Sequence, residues 1–428
     1  MARLYAGTGR TDITPPVGTA LCGSLGPRYA EGIDTPLMAH ALVLDNGATR
    51  LAFIALDLIA LLGREVNEAK HRIQQETGIP PENVLVACSH THAGPYVAGL
   101  LDGDRVRPDE AYLARVVRAI VAAVAQAAEG LAPAEVGWAA TRVPGLGENR
   151  RRLRAPDDAI NAWLLPVGER DKCPPAGPVD DELGLLAVRR TTGSPLALVW
   201  SYALHAHCFT WRNVSADFPY HVWQRLIHAL RGDFTSIFLA GACGDINRPG
   251  SVTPQMVVDR LAVALAELYN QVNWTTSAVL RARESQVEVP LRDFSVFQEE
   301  EIRRKWPSGL EYFRAEWQHL RRLGERSLRT VVQALVIGEF AVAAVPGEYF
   351  VALGLDVKRR SPFAVTAVAE LANDYVGYIP TAAAYEQGGY ELFNARSSKV
   401  ARGTGEMMAD ELVRLLNQLA TQGRPQAT

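Results

Sequence analysis

Val84-Leu85-Val86-Ala87-Cys88-Ser89-His90-Thr91-His92-Ala93-Gly94-Pro95 is the stretch on which the reading of the fold turns. Its first half is apolar, partly β-branched and too short for a free-standing helix, so it reads as a buried strand. Gly94-Pro95 stops the pattern. Two histidines one residue apart therefore lie where a strand gives way to a loop, the usual place for chemistry in α/β proteins. Upstream, Arg64–Gly78 has helical periodicity, with Gly78 placed to end it. Before that, Met38–Asn46 and Leu51–Leu58 read as two strands around an Asn46-Gly47 turn. Strand, helix and strand in succession predict a βαβ unit and a parallel pair. The expected fold class is α/β: a mixed, partly parallel sheet core flanked by helices. A single large catalytic domain is expected over residues 1–422, with a disordered tail over 423–428.

Composition narrows the function. The 428 residues are 48% hydrophobic and 21% charged, enough to bury a large core. Forty-four basic residues face 47 acidic ones, and no lysine-rich block occurs, so nucleic acid is not an expected partner. The cluster Arg150-Arg151-Arg152-Leu153-Arg154 is local and is followed by Asp157-Asp158. Five cysteines, an odd number, without a CxxC pair fit reduced thiols in a cytoplasmic protein. The N-terminus has no apolar leader, and no 18-residue window is uninterrupted apolar sequence, so neither a signal peptide nor a transmembrane segment is expected. Nothing in the composition opposes a homo-oligomer.

The rest of the chain adds polar signals at strand ends. Gly7-Thr8-Gly9-Arg10-Thr11-Asp12-Ile13-Thr14-Pro15-Pro16 reads as turn-rich and polar and does not meet the context of a dinucleotide fingerprint. Asp109–Ala128 is a long Ala/Val-rich helix. Arg150 lies in a loop, as an anion binder or as a solvated cation. His205 and His207 repeat the His-X-His pattern after the apolar Leu196–Tyr202. Alternate residues of a strand share a face, so one of the two is expected to ligate and the other to line a pocket. Ser215 or Asp217 would cap a helix over Pro219–Leu230. Asp245 and Asn247 follow the strand Ser236–Ala240 in a glycine-rich turn, either touching a ligand or merely leading into the next helix. Gln298–Arg326 reads as a charged surface helix. Glu348, alone, reads as a charge at a helix N-terminus.

Parallel strands would gather such ends on one sheet edge. Two histidines and one carboxylate from separate strands make a reasonable zinc site. Zinc-bound water has a pKa near about 7 and is a nucleophile at neutral pH. Neither HExxH nor a cysteine cluster is present.

Taken together, Gly9-Arg10-Thr11-Asp12-Ile13-Thr14, Ser89-His90-Thr91-His92-Ala93-Gly94-Pro95, Asn149-Arg150, His205, Ser215-Ala216-Asp217-Phe218-Pro219, Gly244-Asp245, Pro346-Gly347-Glu348, Tyr378 and Tyr390 resemble the catalytic domain of the neutral/alkaline ceramidase family. The resemblance implies that His90, His205, Glu348 and Tyr378 hold a zinc ion. It places His92, Arg150 and Tyr390 around the reaction centre, with His92 and Tyr390 stabilising an oxyanion or relaying a proton. His207, Asp245 and Asn247 are further pocket candidates. The family carries Ser-Pro-Asn, with an active-site serine, where this chain has Asn247-Arg248-Pro249. The secreted members' signal peptide and C-terminal immunoglobulin-like domain are not recognisable here. The implied activity is zinc-dependent hydrolysis of a linear amide, either a ceramide-like N-acyl lipid or a smaller soluble amide. Two alternatives stand beside it: hydrolysis of an ester or a sugar- or polyol-derived substrate, and a non-catalytic binding protein.

Overall fold

The computed structural model describes residues 3–98, 106–166 and 168–421. The tail expected over 423–428 lies outside them. The elements that position the site are β1 (Tyr5–Asp12), β2 (Met38–Asp45), β3 (Arg50–Leu56), α1 (Gly63–Thr77), β4 (Val84–Cys88), α2 (Glu110–Glu129), β5 (Ala132–Arg142), β6 (Glu182–Arg190), β7 (Pro195–Tyr202), α3 (Asp217–Leu230), β8 (Thr235–Ala240) and α4 (Pro254–Gln271). They are followed by β9 (Leu280–Pro290), α5 (Glu299–Lys305), α6 (Leu310–Leu323), β10 (Ser327–Ile337), β11 (Phe340–Ala344), α7 (Val351–Arg360), β12 (Val365–Ala369) and α8 (Thr404–Thr421). An eight-stranded mixed sheet runs β8-β7-β6-β5-β1-β2-β3-β4, and a four-stranded one runs β9-β10-β11-β12. The β3–α1–β4 unit has the parallel pairing expected of it, and β2 and β3 form the expected antiparallel hairpin.

The large sheet is two halves joined narrowly. β1 meets β5 through only Tyr5↔Pro133 and Ala6↔Ala132, and β8 at one end of the strand order touches β2, β3 and β4 at the other. The inner faces of both halves and of the small sheet share one core, which includes Leu42, Phe53, Leu85, Val199, Leu239, Leu335 and Val342. Helices cover the outer faces: α1 and α2 over β1–β4, α3 and α4 over β6–β8, and α7 and α8 over the small sheet. The fold is mixed α/β, with two sheets enclosing a common core.

This geometry corrects three expectations. The histidine-bearing strands β4 and β7 are separated by an odd number of antiparallel steps along the ladder, so they are not members of one parallel array. No single sheet edge gathers the histidines; the curl of the sheet and the loops after the strands do so. Gly7 and Gly9 are in the middle of β1, not in a turn. A Cβ at either would lie 2.0 Å from a carbonyl oxygen of α2, that of Ala127 or Ala123. The glycines mark close strand–helix packing, a common meaning of glycine inside a strand. The charged segment 298–326 is two helices, broken at a short 3-10 turn, Pro307–Gly309, because proline cannot continue a helix. Helix α2 is long and apolar enough, by composition, to cross a membrane. Its apolar face packs into the core through Val116, Ile120, Ala123 and Ala127.

Candidate metal centre and active site

Strand β4 ends at Cys88, and the chain turns sharply into the first histidine pair. His90 has φ 64°, a left-handed conformation that histidine enters more readily than most residues. The strain is held in place by two bonds: His90 N donates to Leu58 O (3.0 Å), and Nδ1 faces Ile59 O at 2.8 Å. His92 Nδ1 faces Gly23 O at 2.9 Å. A carbonyl partner requires the proton on Nδ1, so both rings present an Nε2 lone pair to the centre. Gly23 is needed there: a Cβ would lie 2.6 Å from His92 Nδ1.

The second pair follows β7. His92 N donates to Ala206 O (3.1 Å), joining the two histidine loops directly. Asp217 secures the same loop. Its buried carboxylate accepts from Cys208 N and Phe209 N as well as from Phe218 N in the first turn of α3, so it clamps the loop to the helix start. Ser215 Oγ accepts from Asp217 N (3.1 Å).

Glu348 arrives from the loop after β11. It pairs in parallel with Tyr378 in a two-residue ladder, which places a carboxylate and a phenol side by side. Glu348 is buried within the fold, not a solvated charge at a helix end. Its Oε1 accepts from Tyr375 OH (2.8 Å). Its Oε2 is buried and accepts no hydrogen bond, yet lies 3.4 Å from His90 Nε2 and 3.5 Å from His205 Nε2. The Nε2 atoms of His90 and His92 are 3.3 Å apart. Donor atoms around one small ion with tetrahedral bonds of about 2.0–2.1 Å lie roughly 3.3–3.4 Å from each other. The donor set therefore fits a metal, and His90, His92 and His205 form a group that could hold one.

Arg150 closes the other side. It is buried, and its guanidinium donates to Glu391 Oε1 (3.1 Å), Gly244 O (2.7 Å), Tyr378 OH (3.1 Å) and Tyr390 OH (2.6 Å). The two phenol oxygens are 2.6 Å apart. Asn247 Oδ1 and His205 Nε2 each lie 3.3 Å from Nη1. Binding an ion through His205 Nε2 requires Arg150 to give up that one contact and keep the others.

The electrostatics follow from burial and these neighbours. Burial pulls the His90 imidazole down, but Glu348 outweighs it, and His90 ends above the ordinary histidine value. Burial would raise Glu348; His90 and His205 hold it well below the usual carboxylate range. Burial, helped by Arg150, takes His205 down to about 3. Burial and the other imidazoles keep His92 well below its ordinary value. His205 and His92 are thus held toward their neutral forms, while the Glu348 carboxylate and the Arg150 cation keep their charges.

The structure thus brings His90, His92, His205, Glu348, Tyr378, Tyr390, Arg150 and Asn247 together. His207 stands at the edge, its ring centroid 5.5 Å from that of His92 and its Nδ1 unpartnered. Asp245 points away. Its carboxylate accepts from Val351 N (2.8 Å), at the start of α7, and from Asn149 Nδ2 (2.7 Å), so it ties the scaffold together. The sequence reading missed Tyr375 and Glu391. Tyr375 is three residues from Tyr378 and carries no separate signal. Glu391 is a lone carboxylate that becomes notable only when Arg150 and Asn161 are seen to converge on it.

The fold and site define a mixed α/β protein with a buried centre able to hold a metal. The sequence model described as neutral/alkaline non-lysosomal ceramidase, N-terminal, matches residues 4–218, half of the chain, and the chain belongs to this family. It is 28% identical over 290 residues to a neutral ceramidase of Mycobacterium tuberculosis, an alignment covering 60% of this chain and 42% of that protein. The chain thus spans less than half the length of that relative. The crystal structure of neutral ceramidase from Pseudomonas aeruginosa superposes with a TM-score of 0.72 at 17% identity, over 98% of this chain and 75% of that one. A ceramidase solved as a complex superposes with a TM-score of 0.73 at the same identity.

Proposed function

We propose that the protein is a zinc-dependent amidohydrolase acting on a linear N-acyl amide, ceramide-like in its linkage. The observation that carries this reading is the unpartnered Glu348 Oε2, buried between the Nε2 atoms of His90 and His205. His90, His205 and Glu348 would hold the ion, with Tyr378 as the fourth ligand. Zinc supplies Lewis acidity and lowers the pKa of a bound water into the neutral range.

The chain's own groups do the rest. His92, held toward its neutral form with Nε2 3.3 Å from His90 Nε2, accepts the proton of the attacking water and returns it to the leaving amine. Tyr390, whose oxygen already receives a hydrogen bond from Arg150, donates its proton toward the oxygen that becomes negative in the tetrahedral transition state. Arg150 keeps that phenol oriented and adds positive charge. The C–N bond breaks, and one water is consumed to give a carboxylate and an amine.

The test is a panel of fluorogenic N-acyl amides and matched esters on zinc-loaded protein. Amide turnover that disappears on chelation and returns with zinc is expected. Turnover confined to the esters would move the assignment to an esterase, and turnover of neither would leave a binding protein.

A further inference from the structure

A cavity of about 280 Å³ adjoins the metal centre without belonging to it. Its wall includes the apolar side chains of Leu291, Phe294 and Leu320 and the polar ones of Tyr375, Arg396 and Lys399. His90, His205, Arg150 and Tyr390 are not among the described residues that line it. Tyr375 belongs to both places: it lines the cavity, and its OH donates to Glu348 Oε1 at 2.8 Å. Ligand pockets usually run to about 300–1,000 Å³. A space at the lower limit admits a compact molecule and excludes a two-chain lipid.

The charges on the wall are unequally matched. Arg396 is committed to Glu316, with Nη2 2.6 Å from Oε1 and Nε 3.0 Å from Oε2. The half-buried Lys399 ammonium forms no hydrogen bond or ion pair with a described residue. Burial pulls it below the ordinary lysine value, and Asp374, Glu325 and Glu316 oppose burial only through space. Each of those carboxylates is placed for something else. Asp374 accepts from Gly63 N, Tyr375 N and Thr330 Oγ1, Glu316 holds Arg396, and Glu325 is exposed. A desolvated ammonium without an acceptor is costly, and an anion entering the cavity relieves that cost. A carboxylate would accept a charge-assisted hydrogen bond from it, while the leucines and Phe294 cover an apolar remainder.

We propose that this cavity is an effector site for a compact carboxylate with an apolar body, anchored by Lys399, and that its occupant acts on the metal centre through Tyr375. A ligand against the Tyr375 ring alters how the hydroxyl holds Glu348. Such coupling is reciprocal: the carboxylate changes metal affinity by the factor by which the metal changes carboxylate affinity. The coupling rests on the metal-binding part of the reading above; occupation of the cavity does not.

The experiment titrates 4-phenylbutyrate, 4-phenylbutanol and 4-phenylbutylamine by calorimetry into metal-free and zinc-loaded protein. Wild type is compared with Lys399→Met, which keeps the apolar stem, with Leu320→Trp, which fills the cavity, and with Tyr375→Phe. The acid should bind at least about tenfold more tightly than the alcohol and the amine. Lys399→Met should bring the acid down to the alcohol, and Leu320→Trp should lose all three. Zinc should shift the affinity of wild type for the acid by about 5–150-fold, and the acid should shift zinc affinity by the same factor. Tyr375→Phe should still bind the acid but show no shift. Equal binding of acid and alcohol, or undiminished acid binding by Lys399→Met, would overturn the site. An affinity for the acid that zinc leaves unchanged would overturn the coupling. Purely competitive inhibition of amide turnover by the acid would make the cavity an arm of the active site and overturn both. If the protein binds no zinc, the amidohydrolase reading fails and the coupling with it; titration of the metal-free protein still decides whether the cavity takes the carboxylate.

Discussion

Glu348 Oε2 lies 3.4 Å from His90 Nε2, buried and without a hydrogen bond. The Glu348 carboxylate raises His90 above its ordinary value, and His90 and His205 hold Glu348 well below the usual carboxylate range. An ion held by the same two atoms competes with a proton for His90 Nε2. Metal affinity should therefore rise with pH through the His90 titration and weaken below it. Below the ordinary histidine value of about 6.5, calorimetry in buffers of different ionisation enthalpy should show proton release on zinc binding. Zero release would mean that the ion does not use His90 Nε2. His90→Ala should bind no zinc, and chelation should lower the Tm of wild type by mass action.

Tyr375 OH donates to the other oxygen of Glu348 at 2.8 Å. Such outer hydrogen bonds fix the orientation of a ligating carboxylate. Tyr375→Phe should weaken zinc binding by about 10–100-fold while leaving the fold intact. Competition against a fluorescent chelator measures it. Unchanged affinity would show that Glu348 is held by packing alone.

Tyr390 separates metal binding from chemistry. Its phenol is 2.6 Å from Tyr378 OH and receives Arg150. Tyr390→Phe should retain the metal and lose about 10²–10³-fold in kcat, as for the removal of one oxyanion donor. Full activity with bound zinc would remove this phenol from the mechanism.

How much of this was legible beforehand differs from element to element. Strands β3, β4 and β7 were readable because hydrophobic pattern is local, and the two His-X-His pairs because they interrupt it. The curl of the large sheet was not, since it depends on the narrow β1–β5 join rather than on any one stretch. Glu348 illustrates the same limit: its local sequence fits a helix N-terminus, and only the distant His90 and His205 give it another meaning. Asp245 failed in the opposite direction. It follows a strand end in a glycine-rich turn, yet its oxygens are consumed by Val351 and Asn149. Arg150 stood ambiguous between surface and site until Glu391, far along the chain, supplied its counter-charge.

Glu370 gives a prediction on stability. It is fully buried and accepts from Cys243 N and Tyr349 N, each at 2.9 Å. Burial pushes its carboxyl up to about 8. Between the unfolded value, near about 4.3, and 8, the folded protein holds a proton that the unfolded chain has lost. Stability from this group is complete below the unfolded pKa and is lost as pH rises, with a slope of up to about 1.4 kcal/mol per pH unit. Glu370→Gln keeps an acceptor for both N–H groups and cannot ionise. In metal-depleted protein it should flatten the fall in denaturant midpoint between pH 5 and 8, pH values bracketed roughly by those two pKa values. Parallel curves for variant and wild type would refute the titration.

Gly9 tests the close packing that its sequence context concealed. A Cβ there would lie 2.0 Å from Ala123 O and 2.9 Å from Gln126 Cβ, so part of the clash is with the backbone of α2 and cannot be relieved by a rotamer change. Gly9→Ala must push α2 away from β1, opening the core that both share with α1. A loss of about 1–3 kcal/mol is expected from overpacking of this kind. Gly184 in β6 provides the control: its nearest neighbour, Val365 Cγ1, is 3.7 Å from the Cβ position, an ordinary contact distance, so Gly184→Ala should be nearly neutral. Urea denaturation of both variants decides the matter. If Gly9→Ala were as stable as Gly184→Ala, the strand and helix would have room between them, and the glycines of β1 would need another explanation.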